Sequence, residues 1–194
     1  MTPKEYLTNW TGQGDKLIAL SKQKLIDLNL QASTISYLEV GLPEDAAPYI
    51  LFVNNSNDLY EGVAKLEDQY DLDLEPDKYI VIGSDGSGNP IAVNIKNNDT
   101  IEWLDHEDYF ESSYCNNSLA SLLNFLIIYR DFVNEIISAN GDDALLDANF
   151  TDEQFDYMKE RMLTVDSTAV NQLGFWKEEL EMLIANREHY RTNP

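Results

Sequence analysis

The sequence predicts an α+β fold, in which a mostly antiparallel sheet lies between N-terminal and C-terminal helices. Three observations support this prediction. The first 40 residues carry apolar side chains at helical spacing, the segment 49–114 changes to the two-residue period of strands, and the segment 117–188 returns to the helical period. The chain of 194 residues, 43% of them hydrophobic, is long enough to bury a substantial core.

Three helices are predicted before the sheet. A short helix covers 2–10, a longer one covers 15–30 with its first residue as the N-cap, and a third covers 33–40. Gly41 follows the third helix and is expected to end it, because glycine adopts a left-handed conformation without a steric cost. Pro43 keeps the following loop out of helix.

Five candidate strands follow, and the three central ones predict an antiparallel meander with short turns. In the first turn Gly86 and Gly88 allow positive φ, and Pro90 fixes φ where the next strand begins. The alternation of side chains indicates that one face of the sheet packs and the other is partly open. The candidate strands are 49–54, 79–83, 90–95, 100–104 and 109–114.

The segment after the sheet is helical again. Asn117 or Ser118 caps an apolar helix that runs to about Ser138, and its hydrophobicity predicts that it lies across the sheet. Thr151 and Gln154 have the spacing of a capping box for the next helix.

A last helix is predicted over about 171–188. The organisation predicts one domain over 1–194, with a core at about 15–138 and a helical extension at about 150–190.

The charge of the chain is unusual, since 35 acidic and 13 basic residues give a formal net charge of −22. Nucleic acids and anionic membranes are therefore not expected as partners, because phosphate binding needs lysine or arginine patches. Two interpretations of the acidity stay open. It keeps the protein soluble, or it steers a basic protein partner to the surface.

The single cysteine, Cys115, excludes an intramolecular disulfide and is expected to be a partly buried structural thiol. The N-terminus lacks the apolar region of a secretory signal, and no apolar stretch is long enough to span a bilayer. These features predict a cytoplasmic protein.

An acidic segment at 54–78 connects the first two predicted strands. It is either a solvated loop, with a short strand near 63–66, or a recognition surface for a basic partner. The candidate partner-binding residues are Asp58, Glu61, Glu67, Asp68, Asp71, Asp73, Glu75 and Asp77.

Two clusters have residue types that could support chemistry. Asp105, His106 and Glu107 combine carboxylates with a histidine, but no second histidine-bearing motif accompanies them, so neither a metal site nor a catalytic set is predicted. The turn 85–89 begins like a calcium loop, but Pro90 and the residues after it do not continue the pattern. No cofactor is predicted.

Several of these segments, taken in order, resemble the SUKH superfamily, the group similar to the fungal Smi/Knr regulator of cell-wall synthesis. The match extends over about 15–132, and 175–180 is similar to the C-terminal helix of longer bacterial members. The segments that carry the resemblance are 40–49, 79–83, 85–91, 104–107, 117–118 and 125–132.

The resemblance implies an α+β fold with five or six strands and a binding function without a catalytic set. Bacterial members are regarded as immunity proteins, which neutralise the toxin domain of a polymorphic toxin, often a nuclease. The cognate partner would then be a basic protein toxin. Family motif residues with an implied structural role are Gly41, Pro43, Gly83, Asp85, Gly86, Gly88, Pro90 and Asp105.

Two alternatives to an immunity function remain at this point. The fungal relatives suggest a regulator or scaffold of cell-wall synthesis. An enzyme that uses Asp105, His106 and Glu107 is the third hypothesis, and a hydrolytic activity that is lost in a folded His106→Ala variant would support it.

Overall fold

The computed structural model of this protein describes residues 1–70 and 77–192. These residues contain helices on both sides of an open antiparallel sheet, which confirms the α+β prediction. The helices are α1 (Pro3–Thr11), α2 (Lys22–Ile26), α3 (Ala32–Val40), α4 (Leu66–Gln69), α5 (Leu119–Asn140), α6 (Asp152–Val165), α7 (Ser167–Asn171) and α8 (Phe175–Thr192).

The sheet has seven strands within the described residues, in the order β1-β2-β4-β5-β6-β7, and β3 also pairs with β4. Neighbouring strands are antiparallel, and β4, β5 and β6 form the predicted meander. The strands are β1 (Asp45–Ala46), β2 (Ile50–Phe52), β3 (Ala64–Lys65), β4 (Tyr79–Ser84), β5 (Pro90–Asn94), β6 (Thr100–Asp105) and β7 (Glu111–Asn116).

The last strand begins two residues later than predicted. Tyr109 and Phe110 both have positive φ, 50° and 58°, and belong to the turn that joins β6 to β7. A run of two non-glycine residues in this conformation cannot continue a strand. The apolar side chains of the turn therefore gave a misleading strand pattern.

Helix α5 lies across one face of the sheet, as its apolar composition predicts. Its N-cap is Ser118, whose hydroxyl accepts a hydrogen bond from the Ser121 amide, and Gly141 with φ 97° follows its last turn. Leu122 and Leu126 are fully buried in the main core cluster. The strand residues that share this cluster include Ile80, Ile82, Ile91, Val93 and Ile101.

The opposite face of the sheet is more covered than predicted. Val81, Ala92 and Leu104 are buried on this face in a second, smaller cluster. Leu66 of α4 and Phe110 of the β6–β7 turn cover them, because the chain returns over this face in both connections. The expectation of a partly open face is therefore wrong at the centre of the sheet.

The predicted helix over 15–30 is wrong except at α2. Ile18 forms a β-bridge with Leu42, in which the Ile18 amide donates to the Leu42 carbonyl at 2.7 Å and the reverse bond measures 3.1 Å. The Leu20 amide donates to the Leu38 carbonyl at 3.0 Å. Long-range backbone hydrogen bonds hold 18–20 extended, although its apolar spacing is helical.

The C-terminal extension packs onto the same core as the sheet. The capping box at Thr151 and Gln154 is present, and the rings of Phe150 and Phe155 lie 6.0 Å apart as a hydrophobic staple. Trp176 is buried against Phe125 with ring centroids 5.1 Å apart. The main cluster of buried residues thus runs from Tyr6 to Leu183.

The helix predicted over 171–188 begins four residues later, as α8 at Phe175, and the separate short helix α7 ends at Asn171. Gly174 lies between them with φ 152°, and a Cβ at this position would come within 2.4 Å of the Tyr114 carbonyl oxygen of β7. The helix breaks here because the chain turns directly against the edge of the sheet.

Candidate functional site

The turn that joins β4 to β5 is organised by one carboxylate. Asp85 Oδ1 accepts the amide hydrogens of Ser87 and Asn89 at 2.8 and 2.9 Å. Its Oδ2 accepts from the Asn89 side chain at 3.0 Å and from Trp103 Nε1 at 2.8 Å. The carboxylate that resembled a calcium ligand therefore has protein donors on both oxygens.

These donors change the pKa of Asp85. Burial favours the neutral acid, but the hydrogen bonds donated by Asn89, Trp103 and Ser87 favour the carboxylate and outweigh it. The pKa of Asp85 is consequently below its usual value. Asp85 acts as the structural centre of the turn.

The two glycines of this turn, Gly86 and Gly88, occupy their positions for different reasons. Gly88 has φ 90°, which a side chain would strain, as predicted. Gly86 does not adopt positive φ, so that expectation is wrong. A Cβ added to Gly86 would lie 3.4 Å from the Tyr49 Cβ. Pro90 is buried and begins β5 as predicted.

Two further glycines allow close backbone approaches. A Cβ on Gly41 would lie 2.7 Å from the Ile18 carbonyl carbon, and Gly41 also has φ 118° after α3. A Cβ on Gly83 would lie 2.6 Å from the Leu51 carbonyl oxygen. The absence of a side chain at Gly83 therefore lets β2 pair closely with β4. Pro43 is buried in the loop that follows Gly41.

The cluster around His106 forms the β6–β7 turn. Asp105 Oδ1 accepts the Glu107 amide hydrogen at 2.9 Å, and His106 Nδ1 lies 2.6 Å from Asn89 Oδ1. This contact joins the turn to the neighbouring turn of Asp85. Within residues 1–70 and 77–192, no group of three or more histidine, cysteine, aspartate or glutamate side chains is arranged to hold a metal ion.

Two further buried titratable groups, Cys115 and Glu179, lie outside these turns. Burial raises the pKa of Cys115, which is fully rather than partly buried in the main core. Glu179 of α8 accepts a hydrogen bond from the Tyr129 hydroxyl of α5 at 2.6 Å. Burial raises the pKa of Glu179 and exceeds the opposite effect of this hydrogen bond.

The acidic segment is only in part a free surface. Asp58, Glu61 and Asp68 are exposed. The Asp58 carboxylate accepts the Tyr60 amide hydrogen at 2.8 Å, and the Gln69 side chain donates to the Leu59 carbonyl, so α4 is fixed to the loop 54–62. Three of the predicted binding residues, Asp71, Asp73 and Glu75, lie outside the described residues.

The other two acidic residues take part in local hydrogen bonds. Glu67 accepts the Asp77 amide hydrogen at 2.7 Å, and Asp77 forms an ion pair with Lys65. The Lys65 hydrogen bond lowers the pKa of Asp77. Glu67 and Asp77 therefore connect α4 to the residues just before β4, and one lysine offsets part of their charge.

The largest cleft has mixed charge. It measures about 750 Å³ and is lined by Trp10, Lys16, Glu44 and Arg130, among others. Arg130 Nη2 donates to the Asn9 carbonyl at 3.1 Å, and Arg130 also contacts the backbone of Trp10. Arg130 therefore fixes α1 against α5. The side chains that line the cleft carry both signs of charge.

Sequence reasoning missed two clefts on either side of Leu51 in β2. The Tyr60 cleft, about 350 Å³, is lined by Leu51, Tyr60, Glu61 and Gly83, among others. The Pro48 cleft, about 410 Å³, is lined by residues 45–51 with Gly86 and Leu145, and its wall is mostly apolar. The alternation Ile50-Leu51-Phe52, with a large apolar residue on the outward face, was the one signal of this site.

Among the helices of residues 1–70 and 77–192, none is both long and apolar enough to cross a bilayer. No curated protein and no solved structure matches the chain. Residues 2–182 match the family model described as SUKH-4 immunity protein. This match covers nearly the whole chain and includes the sheet, α6, α7 and the first part of α8. The chain belongs to the SUKH-4 immunity protein family.

Proposed function

We propose that this protein neutralises a cognate polymorphic toxin by tight, non-catalytic binding, and that the toxin is a basic, nuclease-type domain. Membership of an immunity protein family is the observation that supports this function. The net charge of −22 supports the character of the partner. A nuclease surface is basic because it binds phosphates, and an acidic protein competes for that surface.

Electrostatic steering gives the mechanism a kinetic advantage. Opposite charges on two proteins accelerate their association and suppress encounters with acidic competitors. The proposed partner-binding residues, which attract or contact the toxin, are Asp58, Glu61, Glu67, Asp68, Asp71, Asp73, Glu75 and Asp77. We propose no nucleic acid, membrane or cofactor as a partner, and binding takes place in the cytoplasm.

A titration of toxin activity tests the proposal. The purified toxin domain encoded beside this protein's gene is mixed with increasing amounts of the protein, and its nuclease activity on DNA and RNA is measured. Occlusion predicts that inhibition is complete near one equivalent and that the toxin regains activity after the two chains are separated in denaturant and refolded. Inhibition by a small fraction of an equivalent, or irreversible loss of activity, would instead show enzymatic inactivation of the toxin.

A further inference from the structure

Three large side chains are exposed where β2 meets the acidic segment 54–78. Tyr49, Leu51 and Tyr60 expose 64%, 55% and 73% of their surface. Leu51 lines both clefts, while Tyr49 and Tyr60 line one each. Exposed apolar groups gathered beside clefts are typical of protein interaction surfaces, and tyrosine is enriched there because it combines apolar area with a hydroxyl group.

The strand register places Leu51 between the two clefts. Its neighbours Ile50 and Phe52 point to the main core, so Leu51 points away from α5. Leu51 pairs with Ser84 of β4, and Ser84 and Gly83 both line the Tyr60 cleft. A partner side chain therefore reaches the backbone of β4 beside Leu51.

The backbone holds the two tyrosines in place. Tyr49 has φ 56°, a conformation that is unfavourable for a non-glycine residue and persists only where the surrounding structure imposes it. The Asp58 carboxylate fixes the Tyr60 amide, and the Asn54 amide donates to the Glu61 carbonyl at 2.7 Å. A surface held in this way loses little conformational entropy when a partner binds.

The charges around these clefts have one sign. Asp45 lines the Pro48 cleft and Glu61 lines the Tyr60 cleft, and no lysine or arginine is among the described residues that line either. This distinguishes them from the largest cleft, where Lys16 and Arg130 are present. An apolar centre with a carboxylate rim complements a partner that offers apolar side chains surrounded by lysine and arginine.

We propose that the Tyr60 and Pro48 clefts are the docking surface for the toxin, and that apolar side chains of its basic surface enter them on both sides of Leu51. This inference rests on the proposed function and gives it a location. Leu51 and Tyr60 are the anchors, and Asp45 and Glu61 form the acidic rim. The carboxylates of α4 lie outside the two clefts and act by steering.

Two variants and two matched controls test this surface. Leu51→Arg places a positive charge and a longer side chain between the clefts, and Tyr60→Ala removes an exposed ring. The controls are Leu173→Arg and Tyr157→Ala, at residues that are 74% and 59% exposed and line neither cleft. Affinity for the purified toxin domain encoded beside this protein's gene is measured by calorimetry, and thermal unfolding confirms that each variant is folded.

We expect each cleft variant to bind at least about 30-fold more weakly than the wild-type protein, which is the loss typical of an interface anchor, and each control to bind normally. Normal binding by Leu51→Arg and Tyr60→Ala would overturn the docking surface and leave the proposed function intact. Failure of the wild-type protein to bind would overturn the proposed function and, with it, this surface.

Amide hydrogen exchange gives an independent measurement that needs no variant. Binding of the same toxin domain is expected to slow exchange in residues 49–62 and to leave α6 unchanged. Protection confined to α6 and α8 would place the interface on the C-terminal helices and contradict the inference.

Discussion

The two faces of the sheet differ in how they are covered. On one face α5 covers the strands with a continuous layer of side chains, and Leu122 and Leu126 are fully buried there. On the other face a short helix and a turn cover only the centre, through Leu66 and Phe110. Beyond this small cluster the same face opens into the Tyr60 cleft beside Leu51.

Within β2, the side chains that stabilise the fold differ from the side chain that we propose for recognition. Ile50 and Phe52 of β2 belong to the main core, whereas Leu51 between them is exposed. A sheet that is anchored on one face can leave apolar area uncovered on the other without losing its fold. The face opposite α5 is therefore the one available to a partner.

The largest expected effect compares one leucine from each face. Leu126→Ala removes a fully buried side chain from the main core, and Leu66→Ala does the same in the small cluster. A buried leucine-to-alanine change costs about 2–5 kcal/mol, least where the surroundings can relax. We expect Leu126→Ala near the upper value and Leu66→Ala near the lower value in urea denaturation.

The comparison between faces fails if the two losses are reversed. A larger loss for Leu66→Ala would mean that the small cluster, and not the layer under α5, dominates the stability. Leu173→Ala, at an exposed position between α7 and α8, serves as the control and is expected to be close to neutral.

A smaller effect is expected at the turn between β4 and β5. Asp85→Ala removes the acceptor of four hydrogen bonds and is expected to cost about 1–3 kcal/mol at pH 7, because buried donors lose their partner. Asp85→Asn keeps the shape and part of the hydrogen bonding. We expect this variant to be less damaged than Asp85→Ala.

The lowered pKa of Asp85 also predicts a pH dependence. A carboxyl with a lower pKa in the folded state stabilises the fold fully above its unfolded pKa of about 3.9, and this contribution is lost as pH falls through the folded value. Between about pH 5 and 2 the wild-type protein should lose more free energy of unfolding than Asp85→Asn. Equal losses would show that Asp85 is not held as the carboxylate.

The smallest effect is expected at the half-exposed ion pair between Lys65 and Asp77 in the acidic segment 54–78. Lys65→Met removes the partner of Asp77, and exposed pairs contribute little because water screens them. We expect no resolvable change in the thermal midpoint and, because the surface becomes more acidic, faster association with a basic toxin. A clear loss of stability would show that the acidic segment 54–78 stabilises the sheet as α5 does.

Local sequence signals were sufficient for the meander, for α5 and for the capping box at Thr151. Each depends on neighbouring residues, through turn chemistry, apolar periodicity or a fixed spacing. Residues 18–20 could not be predicted in this way, because backbone hydrogen bonds with the distant residues Leu38 and Leu42 hold them extended.

The candidate site shows the same limit. The acidic residues are visible in the sequence, but their local ties to Lys65 and to backbone amides are not. The Tyr60 and Pro48 clefts arise from the pairing of β2 with β4 and from the path of the loop 54–62. Tertiary contacts decide whether Leu51 is covered. The alternation of buried and exposed residues along one strand does not predict these contacts.

Calorimetry with the toxin domain encoded beside this protein's gene, at low and at raised salt, tests the central claim most directly. The account predicts a one-to-one complex with submicromolar affinity at low salt, because an acidic protein meets a basic partner. It also predicts weaker binding at raised salt, where the charges are screened. Absence of submicromolar binding, or an affinity that does not depend on salt, would contradict it.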